Sequence, residues 1–448
     1  MADTFDLIVK GGTVVLPGRT VRVDLGVRNG QIAHIGPLDK GQAARTLDCS
    51  GLHVLPGVID TQVHFREPGL EHKEDLESGS RAAVLGGVCA VFEMPNTQPP
   101  TDSLAALKDK LTRARGRMWC DHAFFLGATP DNVDALGVWE RAPGCCGVKV
   151  FMGSSTGSLL VDSDEVLRRI LSTGTRRVAV HCEDEARLRE RKAEIPAGAG
   201  VEAHSTWRDA ETALRATRRL LALARATGRK VHVLHVTTAE EMALLQANRD
   251  IASVEVTPQH LTLAAPACYD GLGTFAQMNP PIRDAHHRQA LWSALEQGIV
   301  DVIGSDHAPH TRKEKAQAYP ASPSGMPGVQ TLVPILLNHV NAGKLTLERF
   351  VDLTSAGPAR LYDIAGKGRI AAGYDADLTI VDLNAERTIT NDWIASKCGW
   401  TPFHDLVVRG WPKMTVVRGR LVMRDDEVLG KAQGQPVRFH PLPPAPLE

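Results

Sequence analysis

Five residues able to bind metal or carry protons stand at intervals along the chain: His64, Lys149, His181, His235 and Asp306. Each ends or follows a short apolar, β-branched run: VLPGVI before His64, GVKVF around Lys149, VAV before His181, VHVL before His235 and VIGS before Asp306. Imidazole nitrogens and a carboxylate are the ligands that zinc and similar divalent ions take. A single histidine on a buried strand reads as part of the core. Three of them with an aspartate, at successive strand ends, are hard to account for by packing and predict a metal site. Lys149 is the odd member. An ammonium in an apolar run among metal cations is costly, and burial beside positive charge lowers a lysine pKa. The neutral amine so exposed can take up carbon dioxide as a carbamate, an anion with two oxygens that can bridge two ions. A lysine reaching to the barrel rim is the alternative.

The elements that must position these residues begin at Val54 to Gly69, VLPGVIDTQVHFREPG. Val54 to Ile59 predicts a buried strand ending in Asp60, Gln62, His64 and Arg66, and strand alternation puts the last three on one face. Polar groups bunched at the C-terminal end of a buried strand are how a (β/α)8 barrel builds an active site. The pattern then repeats as strand, loop, helix. Further strands are expected at Val88 to Met94, Asp121 to Leu126, Gly147 to Phe151, Val178 to Cys182, Val231 to Val236, Ser253 to Thr257 and Val302 to Gly304. Helices are expected at Glu74 to Leu85, at Ser103 to Arg115, and at Thr206 to Thr227 with Ser205 as N-cap and Gly228 as stop. Eight apolar strands separated mostly by helices predict a TIM-like barrel in the α/β class. Residues 311–330 have little periodicity and read as a lid after the last strand. Helices at Gly328 to Val340 and Leu347 to Ser355 should follow it.

Both ends of the chain read as β-structure. Phe5 to Lys10 with Thr13 to Leu16, and Val21 to Arg28 with Gln31 to Ile35 around Asn29-Gly30, predict hairpins. Strands are again expected at Ala376 to Leu383, Asp405 to Arg409, Met414 to Arg418 and Arg420 to Met423. These should join as one small β-sandwich, giving residues 1–55 and 365–448 as its halves and 56–364 as a barrel inserted between them.

With 448 residues, 43% of them hydrophobic and 23% charged, the chain can bury a large core. A formal net charge of −1 gives no reason to expect nucleic acid or an anionic membrane as partner. The basic clusters at Arg113 to Arg117 and Arg187 to Lys192 fall in helical stretches and read as solvated faces. The first residues lack a secretory signal pattern, and no apolar run reaches membrane-spanning length. The eight cysteines form no C-x-x-C pair and lie in apolar company, which suits a reducing cytoplasm.

Nine runs carry a resemblance: GVIDTQVHFREPG, EMPNTQPPT, GVKVFMGSSTG, VAVHCED, VHVLHVTT, VEVTPQHL, MNPPIR, IGSDHAPH and GRIAAGYDADLTIVD. The chain resembles the amidohydrolase superfamily, and within it the dihydroorotases of the dihydropyrimidinase-like branch. The resemblance implies a (β/α)8 barrel with a small β-sandwich from both termini. It implies zinc, with Lys149 as the carboxylated lysine, His64 and Asp306 on a first ion, and His181 and His235 on a second. Asp306 is then also the proton shuttle in hydrolysis of a cyclic amide and its reverse. Dihydroorotate carries a carboxylate, which Arg66, Asn96 and His310 resemble the partners of, while Asn279 resembles a contact to the ring. The family has His-x-His at the end of the first barrel strand, and this chain has Gln62-Val63-His64. An amide oxygen is a poorer zinc ligand than imidazole, so the first ion is expected to be held less tightly. Alternatives are a hydantoinase, dihydropyrimidinase or allantoinase, and, in another class, a non-catalytic dihydroorotase-like subunit. An oligomer of this chain and an association with aspartate transcarbamoylase are further implications.

Overall fold

The computed structural model describes residues 4–38, 42–155 and 159–442. Thr156 and Gly157, at the end of the GVKVFMGSSTG run, lie outside them.

Eight parallel strands form the central sheet: β1 (Val58–Val63), β2 (Val88–Glu93), β3 (Asp121–Gly127), β4 (Cys145–Phe151), β5 (Val178–His181), β6 (Val231–Val233), β7 (Ala252–Val256) and β8 (Val302–Ile303). Each pairs with its sequence neighbour in the order β8 to β1. Every residue in them is buried, which is why they read as near-continuous apolar runs rather than alternating ones. The sheet curls until its ends meet. A bridge joins Val63 to His307, and the His64 N–H donates to the His307 carbonyl at 2.7 Å. The expected TIM-like barrel is therefore present.

The first strand departs from expectation. Val54 to Ile59 is not one strand, because the chain changes sheet at Pro56-Gly57. His53–Pro56 pairs antiparallel with Leu378–Thr388 in a terminal sheet, and the barrel strand starts at Val58. Gly57 is needed there: a Cβ on it would stand 2.6 Å from the Asp377 Cβ and 2.8 Å from the Cys89 Cβ. The strand continues to Val63, so Gln62 lies within it. Arg66 lies beyond it with φ 63°, so the alternation that would align Arg66 with Gln62 and His64 has already stopped.

The terminal strands form two sheets. One holds Thr4–Lys10, Leu25–Arg28, Gln31–Ile35 and Gln42–Asp48. The other holds Thr13–Leu16, Arg19–Arg22, His53–Pro56, Leu378–Thr388, Val407–Val417, Arg420–Arg424 and Glu427–Val428. Leu7, Val9, Val27, Leu47, Val54, Ile380 and Val416 share one core between them. The Asn29-Gly30 hairpin forms with both residues at positive φ. The expected pairing of Phe5–Lys10 with Thr13–Leu16 does not. Thr4–Lys10 pairs with Leu25–Arg28 and Gln42–Asp48, and Thr13–Leu16 crosses to the other sheet.

The helix expected from Thr206 is broken in two, His204–Trp207 and Ala210–Thr227. Asp209 rather than Ser205 caps the long helix, accepting from the Thr212 N–H at 2.9 Å, and Gly228 ends it at φ 70°. In the loop 311–330, Thr311 and Glu314 form a capping box on a short helix, Arg312–Lys315. Lys315 is fully buried and donates to the Gln277 carbonyl at 2.9 Å and the Pro323 carbonyl at 2.8 Å, so the segment is fastened rather than free. Arg117 makes a two-pronged pair with Glu67 at 2.7 and 3.0 Å, and Arg187 pairs with Asp209. All eight cysteines are buried free thiols, and no helix of the described residues is long and apolar enough to cross a membrane.

Candidate metal centre

At the C-terminal mouth of the barrel, Gln62, His64, Lys149, His181, His235, Asn279 and Asp306 line one cavity, with Phe151, Ser155, Ala308, Ser324 and Gly325 around them. Two groups of donors face each other. On one side, His181 Nδ1 lies 3.1 Å from His235 Nε2, the rings edge to face. On the other, Asp306 Oδ1 lies 3.2 Å from His64 Nε2 and accepts from Gln62 Nε2 at 3.1 Å. Lys149 lies on β4 beside both groups. Its Nζ is 4.5 Å from the Phe151 ring centre and makes no hydrogen bond or ion pair among the described residues. Burial brings the lysine pKa down to about 7, against the pull of Asp306 and Glu255.

Whether these residues fit divalent ions is tested by their protons. His181 Nε2 is 2.8 Å from Glu183 Oε2, and Arg208 pairs with the same carboxylate. A carboxylate fixes the His181 proton on Nε2 and turns the Nδ1 lone pair into the cavity. Asn96 Oδ1 lies 2.8 Å from His64 Nδ1 and does the same for His64, leaving Nε2 facing Asp306. Burial lowers the pKa of His64, His181 and His235, which keeps the imidazoles neutral and ligand-competent. Among the described residues, Gln62 Oε1 is a buried oxygen without a hydrogen-bond partner. Asp306 is pushed up by burial, but His64, His235 and Lys149 outweigh this and hold the carboxylate well below its usual range. Neutral imidazoles, a deprotonatable amine and an ionised carboxylate together fit one or two divalent cations.

Beyond the cavity wall lies a cationic corner. Arg66 is 2% exposed, and its Nε donates to the Pro309 carbonyl at 3.1 Å. Its Nη2 is 3.3 Å from His310 Nε2, a nitrogen that also lies 3.0 Å from the Ser324 carbonyl oxygen. Lys73 Nζ is 3.1 Å from His310 Nδ1. Among the described residues no carboxylate pairs with Arg66, and burial lowers its pKa to about 10, so it stays charged at neutral pH. Arg66 and His310 abut the cavity through Ser324 instead of lining it, and Asn279 lines it with Oδ1 2.9 Å from His204 Nε2. Asn96 is drawn to His64. Glu183, Arg208 and Lys73 were not expected from the sequence. Glu183 alone carried a signal, a carboxylate two residues past His181.

The amidohydrolase family model matches residues 53–422. A dihydroorotase of Halobacterium salinarum is 40% identical over 378 residues, covering 84% of this chain and 87% of that protein. A dihydroorotase of Pyrococcus furiosus is 35% identical over 434 residues, covering 96% and 95%. Among solved structures, the L-hydantoinase (dihydropyrimidinase) of Arthrobacter aurescens superimposes with a TM-score of 0.92 at 31% identity, covering 97% of this chain and 99% of that one.

Proposed function

The chain belongs to the amidohydrolase family, and from that premise we propose that it is a dihydroorotase, a metal-dependent cyclic amidohydrolase that interconverts N-carbamoyl-L-aspartate and dihydroorotate in pyrimidine synthesis. Relatives that bear the name dihydroorotase, matched over most of their length, support the activity. The observation that carries the substrate is Arg66: a buried guanidinium beside the cavity with no carboxylate partner among the described residues. Such a cation asks for an anion, and a planar two-pronged donor suits a carboxylate.

We assign zinc ions to His181, His235 and Lys149 on one side and to His64 and Asp306 on the other, with Lys149 carboxylated. When bound, the ions polarise the ring carbonyl and acidify the attacking water. The protein does the rest. Lys149 Nζ, neutral above about pH 7, attacks the carbon of carbon dioxide and releases one proton. Asp306 Oδ1 accepts from Gln62 Nε2, while Oδ2 accepts no hydrogen bond among the described residues. Oδ2 therefore takes the proton from the water and delivers it to the leaving ring nitrogen. Arg66, with His310, holds the carboxylate, and Asn279 meets the ring.

The likeness to an L-hydantoinase structure favours hydantoin or dihydropyrimidine as the second reading. Those rings lack the carboxylate, so Arg66 separates the two. Dihydroorotate should be turned over in preference to hydantoin and allantoin. Arg66→Met should cost about 2–5 kcal/mol in transition-state binding, the range for losing one partner of a buried charge pair. It should do so through KM, with metal content intact. An unchanged KM, or turnover of hydantoin alone, overturns the assignment. Absence of any turnover in zinc-loaded protein favours the non-catalytic subunit. A cytoplasmic setting, a homo-oligomer and an association with aspartate transcarbamoylase go with the same proposal. Gel filtration with and without the transcarbamoylase reads out the last two.

A further inference from the structure

We infer that Gln62 splits the centre into two unequal metal sites, and that its amide N–H does for Asp306 what a tightly held first ion would otherwise do. The inference rests on the metal-dependent reading above, though not on the identity of the substrate.

The two donor groups differ in kind. His181 and His235 offer two imidazole nitrogens 3.1 Å apart, one braced by Glu183, with Lys149 alongside. Three strong donors and an open position make a complete catalytic zinc site. The other group offers one imidazole, His64, one carboxylate, Asp306, and Gln62. The Gln62 side chain is 1% exposed, and its position is fixed from several directions. Asp60 Oδ1 accepts from the Gln62 N–H at 3.2 Å and from the Ser305 N–H at 2.9 Å, tying β1 to the turn that carries Asp306. The absence of a side chain at Gly304 leaves room for it, since a Cβ there would stand 3.2 Å from the Gln62 Cβ.

Held so, the amide has two ends with two fates. Nε2 donates to Asp306 Oδ1 at 3.1 Å, and Oε1 is buried without a partner among the described residues. A flip of the amide would bring its oxygen against the carboxylate, so the orientation is set by charge. Oε1 is the only atom Gln62 has left for a cation, and a neutral carbonyl oxygen binds zinc more weakly than imidazole. The first site is therefore weak. Asp306 does not depend on it, because Gln62 Nε2 donates to Oδ1. That hydrogen bond orients the carboxylate and leaves Oδ2 free to move a proton. A histidine at position 62 would be a better ligand. Gln62 gives up tight binding of the first ion and keeps Asp306 oriented without it.

The test counts zinc by plasma mass spectrometry after dialysis against a mild chelator, in the intact chain and in Gln62→His and Gln62→Ala. The intact protein should keep about one ion per chain, Gln62→His about two, and Gln62→Ala about one. Gln62→Ala should also lose about ten- to hundred-fold in kcat with KM little changed, the loss expected when a hydrogen bond to a charged group is removed. Two equally chelator-resistant ions in the intact chain, or a Gln62→His chain that stays at one, overturn the unequal sites. A full kcat in Gln62→Ala overturns the positioning role. A folded intact chain that binds no zinc refutes the metal-dependent reading itself. The stated zinc counts with no turnover of dihydroorotate leave this inference standing and refute the substrate.

Discussion

Lys149 shows what a single buried residue can set. It is 1% exposed, lies within bonding range of neither carboxylate nor carbonyl among the described residues, and titrates at about 7 because burial penalises its ammonium. Below that pH it is protonated and cannot take up carbon dioxide; above it, the amine is neutral and reactive. Zinc uptake by metal-free protein in bicarbonate should accordingly rise between about pH 6 and about pH 8. Lys149→Ala should abolish both uptake and activity, with partial rescue by a short carboxylic acid and zinc. Electron density for a bare ammonium in active, zinc-loaded protein would sink the carbamate. That His64, Lys149, His181, His235 and Asp306 meet in one cavity was legible in the sequence because each is a costly residue type on or just after an apolar strand. The residues that orient them were not. The amide oxygen of Asn96, read as a substrate contact, lies on His64. Arg208 lies where helical periodicity runs on unbroken, and only the structure shows the chain leaving the helix to bring it to Glu183.

That break is an element-scale device. Arg208, with φ −97° and ψ 63°, separates two helices that the apolar stripe would have joined, and Asp209 restarts the second. The strand-end Glu183, held by Arg208, in turn fixes His181 on β5. Glu183→Gln should weaken zinc retention at the second site about 10- to 100-fold, the usual cost of losing a carboxylate behind a metal-bound histidine. Competition with a chromogenic chelator reads this directly, and an unchanged affinity would remove Glu183 from the centre. The loop 311–330 is the other device. Ser324 and Gly325 of this loop line the cavity beside Asn279 and Asp306. Gly325 has φ 137°, and a Cβ there would lie 2.5 Å from the Ala308 carbonyl oxygen. Gly325→Ala should hold the loop off its seat and raise KM several-fold with zinc content unchanged; an unaltered KM would show that the loop does not close on the substrate. Strand positions were readable from apolar runs. The sheet switch at Pro56-Gly57 and the crossing at Gly11-Gly12 were not, because an apolar β-branched run looks the same whichever sheet it joins.

The barrel must also be held to the terminal sheets, and a buried charge cluster at the far end of the strands does this. Lys367 Nζ lies 2.7 Å from Asp121 at the start of β3, 3.2 Å from Asp375 and 2.5 Å from Asp377, which precedes the terminal strand Leu378–Thr388. Arg418, from the turn after Val407–Val417, reaches the same Asp121 oxygen at 2.7 Å, and Arg438 from the C-terminal segment pairs with Asp375 at 2.8 Å. Three carboxylates and three cations thus join β3, the terminal sheets and the segment around Arg438 in one knot. Burial raises the Asp121 pKa, but Lys367 and Arg418 outweigh it and leave the carboxyl below its usual range. Burial likewise opposes the Lys367 ammonium, yet Asp377 and Asp121 raise it above the usual lysine value. The signs give a window. Asp121 contributes stability above its unfolded pKa of 3.8 that is lost as pH falls further, and Lys367 contributes stability in full below 10.5 that is lost at higher pH. Asp377, raised by burial, takes up its proton first on acidification. Lys367→Met leaves buried carboxylates without their shared cation and should cost about 3–5 kcal/mol, as breaking a buried ion pair from one side does. Zinc content and kcat of the folded fraction should stay as they are, because the proposed metal ligands lie at the C-terminal ends of the barrel strands, whereas Asp121 stands at the start of β3. Denaturant unfolding of the two proteins checks this. An unchanged midpoint would mean that the apolar contacts between barrel and sheets hold the halves together without the charges, and the knot would then serve only to fix their register.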